Sequence, residues 1–283
     1  GADTDVPAGD IGVGAREIGY MFGQYKRIRN EYTGVLTGKG LTFGGSLART
    51  EATGYGLIYF TECMLKKIGK DFTGKTALIS GDGNVAQYAA EKLIALGGKP
   101  ITLSDSSGFI LDEDGISGEK VDFMLELRAS GKNVVAPYVE KFPNAKFFKD
   151  EKPWNVKADL YIPCATQNEI QLEDAKNIVA NGAKFVCEGA NMPTTNEALK
   201  YLMDNGIIVG PAKAANAGGV ACSAIEMSQN SRKMPMTPEE VYTQLESIMK
   251  NIHDNSAEAS EKYGYGYNLV YGANIAGFLK VAE

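Results

Sequence analysis

Residues 76–97, TALISGDGNVAQYAAEKLIALG, limit the possible folds of this chain more than any other stretch. The first five residues are apolar and partly β-branched, which is typical of a short buried strand. The next six, GDGNVA, form a GxGxxA turn, and apolar residues then recur at helical spacing until the glycine stop. The stretch therefore predicts a strand, a tight glycine turn and a helix, in that order.

The residues of the turn favour binding of a dinucleotide. Gly81 permits the tight turn, Gly83 lets a pyrophosphate approach the backbone, and Ala86 lets the helix pack closely on the strand. The free N–H groups at the helix start attract phosphate. A second apolar run, 100–104, ends at Asp105, 22 residues beyond Gly83, where an acid that binds the ribose is expected. We expect these residues to bind the cofactor: Gly81, Asp82, Gly83, Asn84, Val85 and Asp105.

Strands and helices alternate through the rest of the chain. Further strands are predicted at 159–164, 184–187 and 206–210, with a weaker candidate at 145–148. The predicted helices outside the glycine-turn unit are 16–29, 51–68, 119–129, 173–181, 196–205, 217–233, 238–262 and 273–281. This alternation predicts an α/β fold, a Rossmann-like, doubly wound, mostly parallel sheet with flanking helices.

Composition excludes several classes of function. The net charge is −6 and there is no basic tract, which argues against a nucleic-acid partner, and no apolar run reaches membrane-spanning length. The single histidine, His253, argues against a histidine-based hydrolase, and no metal site is expected. Four widely spaced cysteines favour free, mostly buried thiols in a reducing cytoplasm. These cysteines are Cys63, Cys164, Cys187 and Cys222.

Small residues with Asn or Thr follow three predicted strands. The segments are CATQN (164–168), EGAN (188–191) and AKAANAGG (212–219). Because the carboxyl ends of parallel strands meet at one edge of the sheet, these segments would offer amide hydrogen bonds to a flat ring and a ribose.

Five longer motifs together resemble the hexameric glutamate dehydrogenases, and the resemblance runs from end to end. They are DTDVPAGDIGVG (3–14), GGSLARTEATGYG (44–56), PCATQN (163–168), EGANMPTT (188–195) and KAANAGGV (213–220). The resemblance implies reversible, NAD(P)-dependent oxidative deamination of L-glutamate to 2-oxoglutarate and ammonia.

The resemblance also implies roles for particular residues. Asp10 would exchange protons at the α-amino group, as a base that can also act as an acid. Arg49, Val220 and Ser223 would contact the substrate. The residues expected on the cofactor are Thr53, Ala165, Thr166, Asn191 and Asn216.

The residues leave the choice of coenzyme open between NADP and NAD. A carboxylate such as Asp105 ordinarily bonds a ribose 2′-OH and repels a 2′-phosphate, and Asp82 adds negative charge in the turn. Ser106 and its neighbours nevertheless resemble the NADP-preferring branch, where serine and downstream cations hold the phosphate. Arg128 and Lys132 are the candidate cations. NADP is slightly favoured.

The family has a first domain whose lysines bind substrate, and the resemblance begins after it. We therefore expect a remnant of the substrate domain at 1–34, the dinucleotide-binding domain at 35–270 and the start of a returning helix at 271–283. This predicts dinucleotide binding with negligible turnover by the chain alone, and a homo-hexamer for the intact enzyme. The alternatives are a non-catalytic NAD(P)-binding module and an amino-acid dehydrogenase with a different side-chain preference.

Overall fold

The computed structural model describes residues 1–10, 12–131 and 134–282, which form two compact units. The first unit contains Gly1–Ala52 and Gly218–Ile248, and the second contains Thr53–Ala217 and Met249–Glu283. The domain division expected from the sequence, with boundaries after residues 34 and 270, stays a prediction.

The second unit is built on one seven-stranded sheet within the described residues, in the order β4-β3-β2-β1-β5-β6-β7. The strands are β1 Thr76–Ile79, β2 Lys99–Asp105, β3 Gly108–Leu111, β4 Lys146–Lys149, β5 Leu160–Ile162, β6 Phe185–Cys187 and β7 Ile208–Gly210. The five strands β2, β1, β5, β6 and β7 are neighbours in this order and pair in parallel. Strand β3 is antiparallel to both β2 and β4. The chain leaves β1 toward β2 first and returns to the other side of β1 with β5. The switch point, where such sheets bind ligands, therefore lies between β1 and β5.

The predicted Rossmann-like fold is confirmed, with one strand missed. The run Gly108–Leu111 pairs with β2 after a two-residue turn, Ser106-Ser107, whereas the sequence predicted no strand there. Four residues separated from a longer strand by only a two-residue turn give no periodic signal of their own, and only the pairing identifies them. The weaker candidate at 145–148 is strand β4.

The predicted helices are all present, with ends that differ by a few residues. The α-helices, of which the short α5 and α8 were not predicted, are α1 Ala15–Arg29, α2 Ala52–Lys67, α3 Asn84–Ala95, α4 Glu119–Ala129, α5 Tyr138–Lys141, α6 Leu172–Ala180, α7 Asn196–Asp204, α8 Ala212–Ala215, α9 Gly218–Arg232, α10 Pro238–Lys262 and α11 Leu269–Ala282. Helix α3 buries Ala86, Ala89, Ala90 and Leu93 on one face, and Gly97 in the left-handed region follows its end. No helix in the described ranges combines the length and apolar character that crossing a bilayer requires.

One hydrophobic core cluster of the second unit lies where the sheet packs against helices α6 and α7. Side chains from β1, β5, β6 and β7 meet helical ones there, and Trp154 and Tyr161 are the largest of them. The predicted free cysteines are confirmed: Cys164, Cys187 and Cys222 are buried and Cys63 is half-buried.

The first unit contains a buried ion pair between the glycine-rich segment after α1 and helix α9. The Lys39 Nζ lies 2.7 Å from Glu226 Oε1, and neither side chain is exposed to solvent. Lys39 Nζ also donates to the Leu36 carbonyl, and Glu226 Oε2 accepts from the Gly38 N–H at 2.8 Å. Because an unpaired charge is costly to bury, each partner requires the other. The pair thereby fixes a segment that has too many glycines to order itself.

Removing one partner of this pair should destabilise the protein more than removing both. We expect Lys39→Met to lower the free energy of unfolding in urea by about 3–5 kcal/mol, since it leaves the Glu226 carboxylate buried without a cation. The double variant Lys39→Met/Glu226→Leu should recover about 1 kcal/mol or more of that loss. Lys176→Met, which breaks the exposed Lys176–Glu173 pair, is the matched control and should cost less than about 1 kcal/mol. Equal losses of unfolding free energy in the single and double variants would contradict the conclusion that Lys39 and Glu226 require each other.

Candidate functional site

The candidate site begins where β1 ends, at a glycine with no room for a side chain. Gly81 has a φ of +86°, and a Cβ placed on it would lie 3.0 Å from the Cys164 carbonyl oxygen and 3.2 Å from the Ala165 Cα. The Gly81 N–H donates to Ser104 Oγ at 2.8 Å, and the Ser104 N–H donates to the Gly81 carbonyl at 3.2 Å. The turn is therefore held between the ends of β2 and β5, and only glycine fits it.

The start of helix α3 has free backbone donors and open space. The residue that precedes the helix, Gly83, provides no side-chain cap, so the N–H groups of the first turn have no capping partner. A Cβ on Gly83 would meet nothing closer than the Arg128 guanidinium at 3.9 Å. This combination can accept a phosphate group close to the backbone.

One of the two candidate cations lies at this turn. Arg128 Nε donates to Asn84 Oδ1 at 3.1 Å, and Arg128 Nη1 donates to the Asp82 carbonyl at 3.2 Å. Burial raises the pKa of the Asp82 carboxyl, and the Arg128 charge opposes that shift. Lys132, the other candidate, lies outside the described residues.

The predicted ribose-binding acid is already hydrogen-bonded by the backbone. Asp105 Oδ1 accepts from the Ser107 N–H, and Asp105 Oδ2 accepts from the Val135 N–H, while Ser106 is exposed beside them. Two of the roughly four acceptor positions of a carboxylate are thus occupied. The remaining positions could accept from a ribose hydroxyl.

Two buried glutamates organise the loops that follow β5 and β6. Glu169 Oε1 accepts from the Ala165 N–H at 3.0 Å, and this carboxylate also bonds the Thr166 backbone and the Ser80 hydroxyl. Glu188 Oε2 accepts from the Ala212 N–H at 2.8 Å. Burial raises the pKa of Glu169 to about 7 and raises that of Glu188 as well. Sequence reasoning missed both, because nothing in a single sequence distinguishes a buried acid from an exposed one.

The remaining predicted cofactor residues lie on the same edge of the sheet. Ala165 and Thr166 are exposed after β5. Asn216 Nδ2 donates to Asn191 Oδ1 at 2.7 Å and to the Gly189 carbonyl at 3.2 Å, so the two asparagines are in direct contact. The structure thus brings the loops after β1, β5, β6 and β7 together.

Thr53 is placed beside helix α3 by its neighbour Gly54. A Cβ on Gly54 would lie 2.6 Å from the Ala89 backbone nitrogen and 2.8 Å from the Val85 carbonyl oxygen, so α2 and α3 meet backbone to backbone. Sequence reasoning missed Gly54, although a glycine inside a helical pattern is a signal for close approach.

The four residues predicted to act on substrate all belong to the first unit. Asp10 is exposed, Val220 is 70% exposed, and Ser223 is buried. Arg49 is half-buried, and its Nε lacks a hydrogen-bond partner within the described part of the chain. A buried guanidinium nitrogen with no partner is rare in folded proteins and can mark a ligand contact.

Helix α9, which carries Val220 and Ser223, also holds the segment that leads to Arg49. Gln229 Nε2 donates to Ser46 Oγ at 2.8 Å, and Asn230 Nδ2 donates to the Gly44 carbonyl. The Lys39–Glu226 pair connects the same helix to the preceding turn. These contacts make α9 and residues 38–49 one structural element.

Known proteins are similar in sequence to this chain over its whole length. A profile described as "Glutamate/Leucine/Phenylalanine/Valine dehydrogenase" matches residues 44–283. The chain belongs to this dehydrogenase family. The NAD-specific glutamate dehydrogenase of Clostridium symbiosum is 56% identical and the NADP-specific glutamate dehydrogenase of Giardia intestinalis is 53% identical, each across 100% of this chain.

Solved structures of the dehydrogenase family show the same fold. A glutamate dehydrogenase structure superposes with a TM-score of 0.97 at 56% identity and covers 100% of this chain. The chain spans 63% of that structure, and 63% and 64% of the two relatives. The predicted resemblance is confirmed, while the individual site residues of this family member stay predictions.

The raised pKa of Glu169 predicts a pH dependence of stability. Between about pH 4.5 and pH 7 the folded state binds more protons at Glu169 than the unfolded state, so the free energy of unfolding falls as pH rises through this window. A shift of this size corresponds to about 3 kcal/mol. Glu169→Gln keeps an acceptor but does not ionise. The variant should therefore gain about 2–3 kcal/mol relative to the wild type between pH 5 and pH 8.

The measurement is urea unfolding across this pH range. Glu173→Gln is the matched control, because its side chain is 80% exposed and should give no such trend. Parallel pH profiles for the wild type and Glu169→Gln would refute the assignment of this pH dependence to Glu169.

Proposed function

We propose that this chain is the coenzyme-binding part of a glutamate dehydrogenase. The reaction is the reversible conversion of L-glutamate, NAD(P)⁺ and water to 2-oxoglutarate, ammonia and NAD(P)H. The observation that carries the proposal is the open glycine turn at the start of α3, in a chain more than half identical to enzymes named glutamate dehydrogenase.

The second unit would supply the dinucleotide contacts. The free N–H groups of α3 and the space at Gly83 would hold the pyrophosphate, and Asp105 would accept from a ribose hydroxyl. Thr53, Asn191 and Asn216 would orient the nicotinamide through hydroxyl and amide groups. The nicotinamide, when bound, supplies the hydride acceptor.

The first unit would supply the groups that act on the amino acid. Asp10 would take a proton from the α-amino group and return one in the reverse direction. Arg49 would offer its unpartnered Nε–H to the substrate, and Val220 and Ser223 would contact the substrate side chain.

We propose NADP or NAD as coenzyme, with NADP slightly favoured. The names of the relatives include both specificities, so identity does not decide. Asp105 and Asp82 disfavour a 2′-phosphate, whereas Ser106 and Arg128 favour it. For the intact enzyme we propose a homo-hexamer in the cytoplasm, where free thiols such as Cys63 stay reduced.

A substitution that blocks the phosphate position without disturbing the fold tests dinucleotide binding. Gly83 has a φ of −72°, which any residue adopts, and its Cβ would lie in open space. We expect Gly83→Val to stay folded, with a loss of about 1 kcal/mol at the helix N-cap, but to weaken binding of both NADH and NADPH at least about a hundredfold, because its side chain occupies the phosphate position. The measurement is fluorescence titration of the 283-residue protein.

The matched control is Gly277→Val, since a Cβ at Gly277 also meets open space. This control should bind NADH and NADPH like the wild type. Unchanged binding by Gly83→Val would contradict the proposal.

The choice of coenzyme is tested by comparing the Kd of NADH with that of NADPH in the wild type and in Asp105→Ala. Removing the carboxylate should shift the preference toward NADPH by about tenfold or more, because repulsion of the 2′-phosphate disappears. A strong NADH preference in the wild type would overturn the choice of NADP.

A further inference from the structure

The second unit has a cavity at the amino-terminal ends of its parallel strands, on the opposite side of the sheet from the glycine turn. It has a volume of about 350 Å³ and lies at the start of three parallel strands, beside Thr76, Leu160 and Phe185. The glycine turn follows the other end of β1. The cavity therefore lies away from the proposed dinucleotide site.

The lining of this cavity is strongly basic. Lys70, Lys75, Lys157 and Lys184 surround it, and Asp159 is the acid among its lining residues. Three positive charges are thus in excess here, although the chain as a whole has a net charge of −6. Such a concentration of one sign in a concave surface raises the local concentration of counter-ions.

The aspartate forms no close ion pair with these lysines. Asp159 Oδ2 accepts from the Thr76 N–H at 3.0 Å and from the Thr76 hydroxyl at 3.1 Å, while Lys75 Nζ is 3.9 Å from Asp159 Oδ1. In the chain as described, Lys70, Lys157 and Lys184 make no ion pair with a carboxylate. Their ammonium groups therefore have donors free for a ligand.

The floor of the cavity is apolar and buried. Leu65 and Leu160 are each 1% exposed and Phe185 is 3% exposed, so the floor belongs to the packed core. A preformed apolar floor with charged groups at its rim is the usual composition of a small-molecule site.

We propose that this cavity, named here the lysine cavity, binds a chain of phosphate groups, either free or attached to an organic body. Several lysines around one concave surface match the several charges of a polyphosphate better than the single charge of a simple anion. The methylene stems of the lining lysines would contact the organic body where there is one. The inference does not rest on the proposed dehydrogenase function. Its test uses the dinucleotide only to fill the glycine turn, and a protein that binds no NADH or NADPH is titrated directly.

Calorimetric titration of the 283-residue protein with sodium tripolyphosphate tests the proposal. The protein is first saturated with NADH or NADPH, so that the glycine turn cannot supply the signal. We expect one site with a Kd on the order of 0.1–1 mM at low salt, weakening as salt screens the charges.

The variant Lys157→Gln/Lys184→Gln should weaken this binding about tenfold. Lys250→Gln/Lys280→Gln changes the same charge at exposed helical positions outside the cavity lining, and it should bind like the wild type. Because the four substituted lysines are all exposed, both double variants should fold normally. Equal weakening in both double variants, or absence of binding by the saturated wild type, would overturn the proposal.

Two further ligands define the chemistry. Citrate, a multivalent carboxylate of similar charge, should bind more weakly than tripolyphosphate, and equal binding would refute selectivity for phosphate. Adenosine triphosphate, titrated in the same NADH-saturated protein, carries an organic body. Tighter binding than tripolyphosphate would support contact between the organic body and the cavity lining, and equal binding would support a free polyphosphate as the ligand.

Discussion

The backbone of Gly81 lies against the backbone of Cys164 and Ala165, and the arrangement of the second unit depends on this contact. Because a Cβ would approach the Cys164 carbonyl to 3.0 Å, the loops after β1 and β5 can lie together only when glycine occupies this position. Their proximity forms the switch point at which doubly wound sheets bind ligands. The first glycine of the GDGNVA turn thus permits the close approach at this edge of the sheet, where the loops after β6 and β7 also lie.

Buried carboxylates hold the irregular segments in both units. Glu169 and Glu188 accept backbone N–H groups from loops of the second unit, and Glu226 does the same for the glycine-rich segment of the first. Loops rich in glycine and alanine have few side chains with which to order themselves. An ionisable acceptor in the core replaces those missing contacts, at the cost of a raised pKa for Glu169 and Glu188.

Sequence reasoning succeeded where local periodicity carries the information. The glycine turn, the five parallel strands and the long helices follow from spacing and from turn chemistry, and the family followed from motifs such as GGSLARTEATGYG. Strand β3 was missed because its pairing with β2 is the only signal for it. The partners of Glu169 and Glu226 could not be predicted either, since burial and contacts between distant segments do not appear in a single sequence. The role of Gly54 could have been predicted, because a glycine inside a helix suggests that two backbones meet.

The outermost strands of the sheet have a consequence for solubility. Among the described residues, one side of strand β4 is unpaired, and its sequence, KFFK, places the exposed Lys146 and Lys149 at the two ends of a Phe-Phe pair. At the other edge β7 has only three residues, and Pro211, which has no N–H, follows directly. Charged residues, short length and proline each hinder an edge strand from recruiting a strand of another molecule. Both ends of the sheet therefore resist edge-to-edge aggregation.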